Sequence, residues 1–192
     1  MTIYKFLRNT HLLLGLFSFL FLMMYGVSSV QMVHTTWFDL KPRVIESEAT
    51  LARDVTNPRD AGRQLMDQGL VKGELQQIRN TGAGYNFRVV RPGTVYEVDY
   101  VAQTGATKIR TSVATFMGML NRIHHVGGLW HEYTLTNVWA VFVGVISVML
   151  ILLSLTGIYL WFKIHTERLI GAVLLALSLG YSVTLIVLMR TA

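Results

Sequence analysis

Three long stretches of this chain contain no charged residue, and they constrain its fold more than any other feature. They cover residues 9–38, 138–162 and 169–189. A helix needs about 20 residues to cross the ~30 Å hydrocarbon core of a bilayer, so each stretch is long enough to span a membrane. Hydrophobic residues make up 52% of the chain and charged residues only 15%. This balance predicts a membrane α-helical protein with three transmembrane helices and the lipid bilayer as its first partner.

The net charge of +6 is concentrated beside the apolar stretches. Residues 34–137 contain 12 basic and 10 acidic side chains, so most of the excess lies outside that region. This distribution argues against a nucleic-acid partner, which would require a concentrated basic surface. The chain has no cysteine, which excludes disulfides and thiolate-bound iron–sulfur clusters.

The flanking charges also predict the orientation. Lys5 and Arg8 precede the first stretch, and Lys163 and Arg168 lie between the second and third. Basic residues in short loops favour the cytoplasmic side. We therefore expect a cytoplasmic N-terminus and an external location for residues 35–135, which is the periplasm if the host is a Gram-negative bacterium. Residues 27–29 have the small side chains of a signal-peptidase site, but we expect an uncleaved anchor.

The region between the first two spans has the pattern of a small α+β domain. Asn57 and Pro58 predict the start of a helix, and Gly69 predicts its end. Alternating apolar residues over 85–89 and 96–100, joined through a Pro-Gly pair, predict a hairpin. A third strand is expected over 107–112.

An amphipathic segment follows, and it completes the predicted domain organisation. Residues 115–125 have helical periodicity and are expected to lie along the outer membrane surface. In the third span, small residues recur every fourth position and predict a helix-packing face; they are Ala172, Ala176, Gly180 and Thr184. The expected divisions are 1–36 for the first transmembrane helix, 37–114 for the periplasmic domain, 115–137 for the interfacial segment and 138–192 for the last two helices.

Several motifs resemble the PepSY-associated transmembrane family of bacterial inner-membrane proteins. Residues 8–15 place a His four positions before a Gly as the first helix begins, and residues 96–105 are similar to the final hairpin of a PepSY domain. Residues 155–161 read Leu-Thr-Gly-Ile-Tyr-Leu-Trp, similar to a Thr-Gly-x-x-Leu-Trp helix end, and the His-rich segment 124–131 precedes them. Larger relatives have a fourth span that this chain lacks.

This resemblance implies a PepSY-like external domain and a candidate electron-transfer role. Some members of the family are siderophore or ferric reductases that hold b-type haem between histidines. The expectation for this chain is therefore an inner-membrane component with one or two haem b groups that passes electrons to a periplasmic ferric-siderophore-like acceptor. The alternative is a non-catalytic accessory subunit that docks a membrane or periplasmic protein, or a second copy of itself, through the PepSY-like domain.

All six histidines lie at or just beyond the ends of the apolar stretches, which allows their heights in a bilayer to be compared. His11 and His34 are 23 residues apart, or ~34 Å along a helix, so they cannot ligate the same iron. Bis-histidine ligation would then pair His11 with His165 on the inner side, and His34 with His124 or His131 on the outer side. The alternative is that these histidines only hydrogen-bond headgroups or backbone carbonyls.

Overall fold

The structure is a computed structural model that describes residues 2–164, 166 and 168–191. Its three longest helices are α1 (Ile3–Val33), α4 (Thr134–Lys163) and α5 (Arg168–Thr191). All three are long and apolar enough to cross a membrane, judged by length and composition. The three predicted apolar helices are thus confirmed. The first begins before the charge-free stretch and ends at Val33, where a short 3₁₀ turn, Thr35–Trp37, follows.

The segment between α1 and α4 folds around one antiparallel sheet. Its strands are β1 (Arg43–Thr50), β2 (Glu74–Asn80), β3 (Gly84–Arg91), β4 (Thr94–Val101) and β5 (Ala106–Val113). Their spatial order is β1-β5-β4-β3-β2, and every neighbouring pair is antiparallel. The predicted hairpin and third strand correspond to β3, β4 and β5.

The expectation of three strands was wrong, because β1 and β2 lie at the two edges of the sheet. Nearly every residue of β1 is exposed, so it lacks the alternation that marks a half-buried strand. Strand β2 is mostly polar, and a bulge between Gln76 and Arg79 interrupts its pairing with β3. An interrupted polar strand has no strong period of two, which is why the sequence did not reveal it.

Helix α2 (Pro58–Asp67) covers one face of the sheet. Asn57 caps it as predicted, because its side chain accepts a hydrogen bond from the Arg59 N–H. Gly69 ends it with a positive φ of 72°, a conformation that favours glycine. The core between helix and sheet is built from fully or nearly buried apolar side chains: Leu51, Ala61, Leu65, Val71, Phe87, Val89, Tyr96, Val98, Tyr100 and Ile109.

The chain divides into two compact units, and the division falls inside two of the long helices. One unit combines residues 2–20 with the described residues after 144, and the other comprises residues 21–144. The sheet, α2 and α3 (Phe116–His124) belong to the second unit. The unit boundaries therefore differ from the ends of the apolar stretches.

Helix α5 contains no buried residue among those the structure describes. The predicted small-residue face is exposed along its whole length, and nothing lies within 4 Å of the position that a Cβ of Gly180 would occupy. The role of this face in packing against another helix stays a prediction.

Candidate functional site

Helix α1 buries one face, and that face carries several polar side chains. Ser18, Phe21, Ser28 and Gln31 are buried, and His11 is half-buried on the same stripe. These residues recur at intervals of three and seven, which places them on one side of a helix. Polar groups on a buried face of an apolar helix require partners, and the partners of the histidines determine what those histidines can do.

His11 packs against helix α4 and hydrogen-bonds to it. Its Nδ1 lies 2.9 Å from Thr156 Oγ1. Gly157 leaves room for the ring, because a Cβ there would come within 3.2 Å of His11 Cε1. The contact places the imidazole beside α4 at a point where that helix has no side chain.

The hydroxyl of Thr156 fixes the tautomer of His11. Thr156 Oγ1 donates its single proton within α4, to the Leu152 carbonyl at 2.7 Å, with the Leu153 carbonyl 3.0 Å away. With that proton engaged, the hydroxyl acts as acceptor toward the imidazole, which favours the tautomer with the proton on Nδ1 of His11. In the neutral ring the lone pair is then on Nε2, which has no hydrogen-bond partner among the described residues.

His124, at the end of α3, also hydrogen-bonds through Nδ1 to a hydroxyl on another helix, in this case α1. Its Nδ1 lies 2.7 Å from Ser28 Oγ, and Ser28 donates its proton to the Tyr25 carbonyl at 2.9 Å. The serine therefore accepts from Nδ1–H and leaves the Nε2 lone pair free. The ring also lies on Tyr25, with 4.2 Å between ring centroids. Burial, and then the neighbouring His125, lower the pKa of His124, which favours the neutral imidazole that metals bind.

His131 has the opposite character, because both of its ring nitrogens are occupied. Nδ1 lies 2.9 Å from a Glu74 carboxylate oxygen and Nε2 lies 3.1 Å from the Gly127 carbonyl oxygen. The hydrogen bond to Glu74, followed by that to Gly127, raises the pKa of His131. Since both neighbours are acceptors, the ring satisfies both contacts when it is protonated, and a protonated imidazole has no lone pair to offer iron.

The remaining histidines differ in how they are placed. His34 follows α1, is exposed, and stacks on Trp37 with 4.1 Å between ring centroids and 8° between planes. His125 is exposed, and its ring lies 5.5 Å from that of His124. His165 lies outside the described residues, so its predicted pairing with His11 has no structural counterpart here.

The described contacts do not join the histidines that the sequence paired at the outer level. His34, His124 and His131 each contact a different partner. Over residues 2–164, 166 and 168–191, no group of three or more His, Cys, Asp or Glu side chains is placed to hold a metal ion. Haem needs only two axial ligands, so the predicted pairings stay predictions.

Sequence reasoning missed the hydroxyl partners of the two helix-packed histidines. Ser28 and Thr156 are polar positions inside apolar stretches, which was the available signal, but their partners lie 96 and 145 residues away. Comparison with protein-family models, curated proteins and solved structures gave no match. Function is therefore inferred from the side-chain geometry of this chain.

Proposed function

We propose that this protein is a haem-b electron-transfer component of a bacterial inner membrane. The supporting observation is shared by His11 and His124: Nδ1 of each ring lies within hydrogen-bond distance of a hydroxyl that also bonds a carbonyl of its own helix, an arrangement that favours Nε2 as the basic nitrogen. Histidines that ligate metals commonly have this arrangement, in which a second group holds the other ring nitrogen and orients the ring.

The availability of a ring nitrogen also distinguishes the other candidate ligands. His131 does not fit, because Glu74 and Gly127 occupy both of its nitrogens. His34 fits better at the outer level, since its only described ring contact is the stack on Trp37. At the inner level the proposed partner of His11 is His165. A b-type haem bound by such imidazoles would supply one-electron transfer, and the apolar helices would keep water from the ring.

The proposed direction of transfer follows from the charges beside the apolar helices. With the N-terminus in the cytoplasm, His11 belongs to the inner side and His124 to the outer side. Electrons would pass outward to a ferric-siderophore-like acceptor in the periplasm, where the PepSY-like domain would lie.

The test is haem content in protein purified in mild detergent from haem-replete cells. The wild-type protein should show a reducible b-type spectrum with haem in near-stoichiometric amount. His11→Ala and His124→Ala should each remove one haem equivalent if two sites exist. A folded, colourless wild-type protein would exclude the proposal.

The two controls are neighbouring histidines that the geometry does not favour. His125→Ala changes the residue next to His124 in the chain, and His131→Ala removes a ring with no free nitrogen. Both variants should retain full haem content. Loss of haem in His131→Ala with retention in His124→Ala would reverse the assignment at the outer level.

A non-catalytic docking subunit is the second candidate, and strand β1 favours it. This strand is an eight-residue edge of the sheet, and its apolar Val44 and Ile45 are exposed. The opposite edge, β2, is broken by a bulge. A long regular edge is the kind of surface to which another protein adds a strand.

Crosslinking separates this candidate from the first. A photo-reactive residue at Val44 should capture a partner in membranes, whereas the same residue at exposed Ile78 on β2 should not. Colourless protein with capture only at Val44 would support the docking role. Haem-bearing protein with no capture at Val44 would exclude it.

A further inference from the structure

A pocket of about 310 Å³ lies where the β2–β3 side of the sheet meets α3 and the start of α4. Its polar lining includes Glu74, Arg91, Asn121, Arg122, His125 and His131, and its apolar walls are Val90, Pro92 and Val126. All of these residues belong to the same compact unit. We call this space the Arg91–Arg122 pocket.

The two arginines of this pocket have unsatisfied hydrogen-bond donors. Arg91 Nε and Arg122 Nη1 are buried, and neither has a hydrogen-bond partner among the described residues. Neither guanidinium forms an ion pair within residues 2–164, 166 and 168–191. Arg88 on the same strand as Arg91 is different, because it bonds to both Gln77 and Glu97. Buried guanidinium donors are rarely left without an acceptor.

The one carboxylate in the pocket does not neutralise these arginines, because it is already paired. Glu74 bonds His131 at 2.9 Å, and their side chains are only 19% and 17% exposed. When His131 is protonated the pair is neutral as a unit, and neither guanidinium has a carboxylate partner among the described residues. The described side chains therefore provide no acceptor for Arg91 Nε or Arg122 Nη1.

More unpartnered polar groups lie beside the same part of α3. A neighbouring pocket of about 240 Å³ is lined by Gln31, Asn121 and Arg122 among others. Both the amide nitrogen and the amide oxygen of Gln31 are buried without a partner in the part of the chain described. Asn121 and Arg122 thus line both spaces, and each space contains buried polar atoms with no hydrogen-bond partner among the described residues.

We propose that the Arg91–Arg122 pocket binds the phosphate group of a phosphate ester. A guanidinium binds oxyanions through paired N–H groups. Two guanidinium groups and a nearby amide are better matched by the several oxygens of a phosphate than by the two of a carboxylate. The pocket is larger than a phosphate ion alone, and its Val90, Pro92 and Val126 walls suit the apolar part of an ester. The ester is either a soluble molecule or a phospholipid headgroup.

The test uses the full-length protein in a phosphate-free maltoside detergent, titrated calorimetrically with inorganic phosphate, phenyl phosphate and acetate. We expect saturable one-site binding of phenyl phosphate that is tighter than that of inorganic phosphate, with acetate weakest. A second preparation, in nanodiscs that contain phosphatidic acid, distinguishes the sources. If the lipid is the ligand, phenyl phosphate binding should be blocked there; if the ligand is soluble, binding should be unchanged.

Variants decide whether the two arginines are responsible. Arg91→Gln and Arg122→Gln should each weaken phenyl phosphate binding roughly tenfold or more, the loss expected for a charge-assisted hydrogen bond. Arg91→Lys keeps the charge without the paired N–H groups and should lie in between. Arg88→Gln is the matched control and should bind like the wild type.

Two results would overturn the proposal. The first is the absence of saturable binding by every probe in both preparations, or equal binding by the wild type and both Gln variants. The second concerns stability: because the guanidinium groups have no described partner, the Gln variants should not melt below the ligand-free wild type. A lower melting temperature in both would show that the arginines stabilise the fold. Haem content should not change in any of these variants, so failure here is distinguishable from failure of the haem proposal.

Discussion

Replacing Thr156 by valine tests whether the hydroxyl beside His11 prepares that histidine for ligation. Valine has nearly the shape of threonine, so the substitution removes the hydroxyl at 2.9 Å from Nδ1 with little change in side-chain volume. The Nδ1–H then loses its partner, and the ring no longer prefers the tautomer with a free Nε2. We expect weaker haem binding at the inner site.

The size of the effect follows from one neutral hydrogen bond in a half-buried setting. Such a bond contributes about 1 kcal/mol net, which corresponds to a roughly fivefold change in the dissociation constant. Loss of ring orientation adds to this, since removing the group that holds a ligating histidine commonly lowers metal affinity by about 10–100-fold. The dissociation constant should therefore rise by about fivefold to a hundredfold.

The assay is haem titration of the apoprotein, followed by absorbance, in a His124→Ala background. Because His124→Ala removes the proposed outer-site ligand, the titration measures haem binding at the inner site. The control is Ser154→Ala, because Ser154 is exposed and, among the described residues, its hydroxyl bonds only the Leu150 carbonyl of its own helix. If Thr156→Val bound haem as tightly as Ser154→Ala, the hydroxyl would have no part in orienting His11 and the tautomer reasoning would be refuted.

The other predictions concern the sheet domain. Its stability should depend on His131, whose pKa is raised by Glu74 and Gly127; the contribution is complete below about pH 6.5 and is lost as pH rises through the higher pKa of the folded state. Thermal melts across this range should show the loss in wild-type protein and not in His131→Gln. Tyr100→Phe should destabilise the domain by about 2 kcal/mol, measured by urea unfolding, because its hydroxyl donates to the Ala52 carbonyl at 2.8 Å and accepts the Val55 N–H at 3.1 Å.

Each of these predictions has a clear contrary result. A His131→Gln variant with the same pH dependence as the wild type would assign that dependence to another group. For Tyr100, the comparison is Tyr85→Phe, which removes a single hydrogen bond to the Thr56 carbonyl. Equal losses of unfolding free energy in Tyr100→Phe and Tyr85→Phe would show that the second hydrogen bond of the buried Tyr100 hydroxyl adds no stability.

The elements with strong local signals were predictable from the chain alone. The Pro-Gly pair between β3 and β4, and the Asn-Pro start of α2, specify local backbone geometry that neighbouring residues reinforce. Strand β1 had no such signal, because it pairs with β5 more than 50 residues later and its side chains stay exposed. Its position depends on an available sheet edge, which only the assembled sheet provides.

The candidate site was likewise only partly predictable from the sequence. The positions of the histidines beside apolar stretches could be read directly, and so could the separation that keeps His11 and His34 from sharing an iron. Which ring nitrogen carries the proton could not be predicted from the sequence. It depends on hydroxyls from other helices and on the backbone carbonyls to which those hydroxyls donate. The same is true of Arg91 and Arg122, whose lack of partners becomes visible only once every nearby carboxylate has been placed.

By itself, the amino-acid sequence determined that this protein has three apolar helices and an α+β segment between the first two. Those properties come from contiguous residues, because the free energy of transferring a helix into lipid accumulates along an unbroken stretch. The tertiary structure alone decided which histidines have a ring nitrogen with no described partner and which one pairs with a carboxylate. It also decided which arginines have no carboxylate partner among the described residues. Hydrogen bonds form over about 3 Å, so they depend on which distant segments meet.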